Sequence, residues 1–355
     1  MNNFAPLAVS LRGPDKYQET LHLGSIAVVD GDGNTVYQVG APEERFPLRS
    51  TIKPVQLLPL LLDGLDTKHE LNHADLAIMM SSHHGEEIHT QRVSSLLNRF
   101  ELEPSQLRCG THPPHLEHDR LQLLLKGTTA SVLHCNCSGK HTGMLAVCAE
   151  KGWPLESYLE ADHPLQQRIL KLIRQLASIP DKQKLNWTID GCSLPTYSLN
   201  LLELARVFSR LASPDLLGEI EQQPGAPLIQ KLRNAAQNNP EMITGSHSFD
   251  TRLMTRYGDR LFAKSGADGM YAMALSPSQA HPRGLGIAYK VADGDPGHNI
   301  RELVAVNVLR QLEPNSFTDI DEFIDPRRLN NVGTVVGSMQ SVFKLNSVHP
   351  ETPNF

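Results

Sequence analysis

Strand-like sequence lies at the two ends of this chain and helical sequence fills the middle, and that distribution most limits what it can fold into. Near the start, Ser25-Ile26-Ala27-Val28-Val29 and Thr35-Val36-Tyr37-Gln38-Val39 flank Asp30-Gly31-Asp32-Gly33-Asn34. Asp-Gly pairs between apolar runs predict a hairpin. The same five residues resemble the opening of a calcium loop, but Ala41 stands where that loop needs its bidentate glutamate. Strand character returns at Arg260–Lys264 and Gly286–Val291, and Gln340–Leu345 is expected to add another strand.

Between these ends, from Ser50 to about Leu329, helical periodicity dominates. Asp162 reads as an N-cap and Pro164 as a first-turn residue of a helix whose Leu165, Ile169, Leu172, Ile173 and Leu176 keep a 3.6-residue period. Leu199–Leu211, Leu228–Ala236 and Ile300–Leu312 read in the same way. With no repeat, low-complexity segment or linker, the pattern predicts one α/β domain over residues 1–355, its sheet closed by both chain ends. The polar tail after Asn346, with two prolines, is expected to be loose.

Composition narrows the function. Hydrophobic residues make up 40% and charged residues 20% of 355, enough for a sizeable core. The net charge of -6, without a long run of one sign, argues against nucleic acid or an anionic membrane as the main partner. The longest apolar run, Val55–Leu62, is interrupted by Gln56 and Pro59 and is too short to span a bilayer. The first residues lack a basic and an apolar signal region, and the cysteines number five, an odd count. A disulfide framework is therefore not expected, and the working compartment is expected to be the cytoplasm.

Ser50-Thr51-Ile52-Lys53 is a Ser-x-x-Lys at the expected start of a helix, where three residues make about one turn. A serine is a poor nucleophile without a neighbouring base. For Lys53 to be that base, its pKa must fall from about 10.4 to about 7–8, roughly 4 kcal/mol of burial or neighbouring charge. The plainer reading is an N-cap serine followed by a solvent lysine. Lys264-Ser265-Gly266 follows a predicted strand, and Ser81-Ser82-His83-His84-Gly85-Glu86 lies between the two motifs. Serine β-lactamases and penicillin-binding proteins place Ser-x-x-Lys, a serine loop and a Lys-Thr-Gly-like triplet in this order. Alternatively, Ser81-Ser82 is a capped turn leading into a helix over Glu87–Phe100.

The densest reactive stretch is His134-Cys135-Asn136-Cys137-Ser138-Gly139-Lys140-His141. On an extended segment Cys135 and Cys137 point to one side. With Cys192 they would give a sulfur-rich zinc site, with His134 or His141 as fourth ligand. Buried cysteines also serve as small apolar residues, which is the simplest reading of Cys109 and Cys148. His83, His84, His112, His115 and His118 fall in polar turns and need no special role.

Taken together, Arg49-Ser50-Thr51-Ile52-Lys53-Pro54, Ser81–Glu86, His134–Met144, Asp190-Gly191-Cys192-Ser193-Leu194-Pro195 and Lys264–Gly269 resemble the rhizobial-type (class 3) L-asparaginases, the asparaginase II family, over about residues 8–340. That resemblance implies a serine β-lactamase-like (glutaminase-like) fold, an antiparallel sheet built from both chain ends with helices packed around it. It implies a homodimer that hydrolyses the side-chain amide of L-asparagine. It maps two Ser–Lys pairs onto Ser50 with Lys53 and Ser82 with Lys264, and a zinc site onto Cys137, Lys140 and Cys192. Cys135 stands beside these as a further candidate ligand. Arg49 matches a partner for the substrate carboxylate, and Asp190 and His141 match groups around the substrate. His84 stands where a smaller residue is expected and would narrow the pocket. Rival readings are a glutaminase or another Ser–Lys amide hydrolase or acyltransferase on this scaffold, and a non-catalytic zinc-stabilised protein in which Ser50 is only a cap.

Overall fold

The computed structural model describes residues 3–348 except Pro296 and His298. The chain forms two compact units. One comprises residues up to Phe46, Leu199–Ser213 and residues from Ser265 on; the other comprises Pro47–Ser198 and Pro214–Lys264.

The first unit carries the sheet. Its strands run in the spatial order Arg327–Leu329, Val335–Ser341, Ala5–Arg12, Tyr17–Asp30, Leu285–Val291, Met270–Leu275, each neighbour antiparallel. Both chain ends thus supply strands to one antiparallel sheet, as expected. The hairpin forms between Tyr17–Asp30 and Thr35–Val39. At its turn the Asp30 carboxylate accepts the N–H groups of Asp32 and Asn34, and Gly33 takes a φ of 91°. The last expected strand falls earlier than Gln340–Leu345, at Val335–Ser341. Asn346–Ser347 is not loose but pairs with Thr35–Val39; the rest of the expected tail, from residue 349, lies outside the described residues.

The helix Leu201–Ala212 covers this sheet. Asn200 and Glu203 form a capping box that satisfies two N-terminal donors. Leu201, Leu204, Ala205, Phe208 and Leu211 then recur at helical spacing and are all buried. Contact with the sheet is close enough that a β-carbon on Gly286 would sit 1.9 Å from the Ala205 carbonyl oxygen and 2.2 Å from the Ser209 nitrogen.

The second unit is mainly helical: Lys53–Leu62, His73–Met79, Glu87–Arg99, Glu117–Leu125, Ser138–Lys151, Pro164–Ala177, Gly225–Asn238 and Phe249–Tyr257 are its longer helices. Lys53–Leu62 packs on Ser138–Lys151 and Pro164–Ala177, and His73–Met79 packs on Ser138–Lys151 and Gly225–Asn238. The cap of Pro164–Ala177 is His163, whose side chain accepts the Leu165 N–H, rather than Asp162. Glu86, not a serine, occupies the N-cap of Glu87–Arg99. The strands Trp187–Ile189 and Pro195–Asn200 form a hairpin whose turn holds Asp190 to Leu194.

Gly286→Ala is expected to destabilise the protein by roughly 1–3 kcal/mol, the usual cost of overpacking, read as a lower midpoint in urea unfolding. An unchanged midpoint would contradict the backbone contact described.

Candidate active site

The site residues expected from sequence all fall in the second unit. Arg49–Ile52 forms a 3-10 turn that runs into the helix Lys53–Leu62. Arg49 enters it with a φ of 51°, a left-handed conformation that is strained for a side-chain-bearing residue, and its N–H donates to Thr196 Oγ1 at 3.1 Å. Ser50 is therefore inside the turn and not its cap. Ser50 is half-buried, and among the described residues its hydroxyl and its N–H have no hydrogen-bond partner.

Lys53 does not bond to Ser50. Its side chain, 1% exposed, runs to the Ser81 carbonyl and to Ser82 Oγ, 2.9 Å away. Lys264, on the strand Leu261–Ser265 and 0% exposed, reaches the same Ser82 Oγ at 3.0 Å. The two pairs expected from sequence are thus one arrangement, Lys53–Ser82–Lys264, with Ser50 one turn before Lys53. Ser82 itself caps no helix; its N–H is taken by the Ile243 carbonyl at 2.8 Å.

Next to this lies the thiol cluster. Cys137 is the N-cap of Ser138–Lys151, and Cys135 follows a short 3-10 turn, so the two thiols do not lie on an extended segment. Lys140 Nζ is 3.1 Å from Cys192 Sγ, and the Cys135 and Cys192 thiols are neighbours of Cys137. Cys135 Sγ contacts the Cys109 carbonyl at 3.3 Å. His134 bonds Ser131, and His141 Nδ1 lies 2.6 Å from the Tyr158 hydroxyl. Neither histidine is drawn to the sulfurs. Among the described residues no three side chains of His, Cys, Asp and Glu converge to hold a metal; the convergence is of two thiols and a lysine amine.

The electrostatics fit that donor set. Hydrogen bonds from Cys135 and Cys192, reinforced by the Lys140 and Lys53 charges, hold the Cys137 thiol well below its usual range. Burial works against the Lys140 charge, yet the Cys137 and Cys192 sulfurs beside it raise its pKa above the ordinary lysine range. A soft cation favours thiolates and can hold an amine deprotonated, so Cys137, Lys140 and Cys192 are suited to zinc.

Arg49 Nε binds Asp190 Oδ1 at 2.7 Å, and Asp190 Oδ2 is 3.9 Å from Cys192 Sγ. Ser193, in the same turn, has a φ of 71°. The buried Nε2 of His141 has no partner among the described residues. Sequence reasoning passed over His83, Ser138 and Tyr158. The first was set aside with the turn histidines, Ser138 lies in the reactive stretch without a role given to it, and no local pattern marks Tyr158.

Burial drives several imidazoles to stay neutral: His83 and His141 far below the usual range, His89 below it, and His84 down to about 4. In the unfolded chain these groups take protons below about pH 6.5. Their contribution to stability is complete above that pH and declines as pH falls toward 4. The melting temperature is expected to drop between pH 7.5 and 5.5, with net proton uptake on unfolding in calorimetry at pH 5.5. A constant melting temperature over that span would contradict it.

Comparison with known proteins places the chemistry. The chain is an amidohydrolase. It belongs to the L-asparaginase II family, whose model matches residues 9–341. No curated protein matches the sequence. Among solved structures, the chain is similar to a probable glutaminase from Bacillus subtilis complexed with 6-diazo-5-oxo-L-norleucine, at 13% identity and a TM-score of 0.37, over 82% of this chain and 84% of that one. It is similar to a Bacillus glutaminase at 12% identity and 0.38, over 82% and 91%. Mglu in its native form gives 14% and 0.44, over 83% and 61%. These overlaps are distant, and family membership rests on the sequence match.

Proposed function

We propose that the protein is an L-asparaginase that hydrolyses the side-chain amide of L-asparagine to aspartate and ammonia through an acyl-enzyme on Ser50. The observation that carries this reading is the buried Lys53–Ser82–Lys264 arrangement one helical turn from an unengaged serine.

In this mechanism the Lys53 amine, turned to Ser81 and Ser82 in the free protein, swings to Ser50 and takes its proton while in the neutral form, and Oγ attacks the amide carbon. The unspent Ser50 N–H is a donor for the developing oxyanion. As the C–N bond breaks, the leaving nitrogen takes a proton delivered through Ser82 from the lysine amines, and ammonia departs. Water then hydrolyses the ester, giving aspartate and restoring the Ser50 hydroxyl. The base relay is expected to supply about 10²–10⁴-fold of the rate. Arg49, oriented by Asp190, binds the α-carboxylate of the substrate, and His141, whose buried Nε2 has no partner among the described residues, is the group assigned beside it.

Cys137, Lys140 and Cys192 would hold zinc beside this pocket. When bound, the metal would supply fixed positive charge and a rigid wall. The family resemblance further implies a homodimer, which sedimentation at twice the chain mass would support.

A second reading makes Ser82 the nucleophile, favoured by its direct contact with both amines. Ser82 offers no oxyanion donor of its own, because its N–H is spent on Ile243.

Ammonia release from L-asparagine, with L-glutamine alongside, tests the activity. Ser50→Ala is expected to lose roughly a thousandfold or more in kcat, the scale of a lost nucleophile. No ammonia from asparagine with the wild type would sink the asparaginase reading. Removing zinc with a chelator is expected to raise KM and leave kcat unchanged. Loss of kcat in proportion to metal would contradict the role given to the ion.

A further inference from the structure

The loop that carries Ser82 is gripped from two sides. On one side the Ser82 and His84 N–H groups donate to the Ile243 and Thr244 carbonyls at 2.8 and 2.7 Å. On the other side stands the start of the helix Ser138–Lys151. A β-carbon on Gly139 would lie 2.3 Å from the Ile78 carbonyl oxygen, and one on Gly143 would lie 2.9 Å from Met79 Sδ. The helix therefore rests directly on the end of His73–Met79, just before the chain turns into Ser81 and Ser82.

His83 fills the space between that helix and the loop. Its side chain is fully buried and stacks on His89, with ring centroids 5.0 Å apart and planes 16° apart. Nδ1 accepts the Gly85 N–H at 3.2 Å, which leaves the ring proton on Nε2. Nε2 lies 2.9 Å from Ser138 Oγ and donates to it, and Ser138 Oγ in turn donates to the Leu133 carbonyl at 2.9 Å. Burial keeps the imidazole neutral, so this single tautomer persists across ordinary pH. Every side-chain polar atom of the pair is committed, and the direction of each bond is fixed.

We propose that His83 is a positioning residue: its bond to Ser138 locks the Ser82 loop against the helix Ser138–Lys151 and so keeps Ser82 Oγ within reach of both Lys53 and Lys264. Ser82 takes one side of this loop and His83 the other. A shift of the His83 ring would carry Ser82 with it, away from amines that are themselves held in place by burial. This inference rests on the relay role given to Ser82 above.

A double-mutant cycle on the full chain tests it. His83→Ala and Ser138→Ala are each expected to lower kcat on asparagine about 10- to 100-fold, the scale of a misplacement near 1 Å, with KM within about twofold. The KM readout separates this loss from loss of metal, which is expected to act on KM. The double variant is expected to be no slower than the slower single, because both remove one bond. His83→Gln, whose Nε2 can replace the ring donor, is expected to recover most of the rate. Losses that multiply in the double variant would overturn the proposal. So would a full-rate Ser138→Ala, a variant that removes one oxygen and leaves the packing intact even if His83→Ala fails to fold. Ser82→Ala is assayed alongside. Full activity in Ser82→Ala would sink the relay itself, whereas an inactive Ser82→Ala beside a full-rate Ser138→Ala would sink only the role of His83.

Discussion

Two lysine amines meet at one serine hydroxyl in the interior of this protein, and that meeting governs the structure around it. Burying an amine is costly unless it is hydrogen-bonded. Lys53 has the Ser81 carbonyl and Ser82 Oγ as partners, and Lys264 has Ser82 Oγ. The arrangement needs Ser82 at one place, so the loop bearing it is held through its backbone by residues 243–244 and through His83 by Ser138. It also needs a helix start directly before Lys53, and the 3-10 turn led by the strained Arg49 supplies it.

The thiol–amine cluster is electrically part of the same centre. Burial is the main cause of the lowered pKa values of His83 and His141, and the neighbouring Cys135 and Cys192 thiols that of Cys137, with positive charge at Lys53 adding to each. The Arg49–Asp190 ion pair reaches Cys192 on its far side. Charge at the sulfurs, at the amines and at Arg49 is therefore interdependent. Zinc binding at Cys137, Lys140 and Cys192 would have to displace the proton that the sulfurs hold on Lys140, so its affinity should rise with pH.

Much of the fold was legible because it rests on local rules. The Asp30–Asn34 turn follows from Asp-Gly chemistry, and the helix Ile300–Leu312 runs over the residues its periodicity marks. Local rules failed where a distant partner decides. His163, its ring held from the other side by the Pro154 carbonyl, caps its helix in place of Asp162, and the late strand settled on Val335–Ser341 because its partner Ala5–Arg12 sets the register. The site followed the same division. The motifs named Ser50, Lys53, Ser82 and Lys264, but the spacing of Ser50 and Lys53 suggested a pair that the structure does not make. The partner of Lys53 lies on another element, reached only through the packing of the helices. His83 lies in the Ser81–Glu86 stretch but was given no role there; what marks it is burial and a bond across 55 residues.

The most direct test of the account is where a substrate-like reagent attaches. A diazoketone analogue of asparagine, incubated with the wild-type protein and followed by peptide mass analysis, labels the hydroxyl that attacks. One adduct is expected, on the peptide containing Ser50, formed slowly or not at all when Ser82 is replaced by alanine. An adduct on Ser82 in the wild type would contradict it and make the serine between the two lysines the nucleophile.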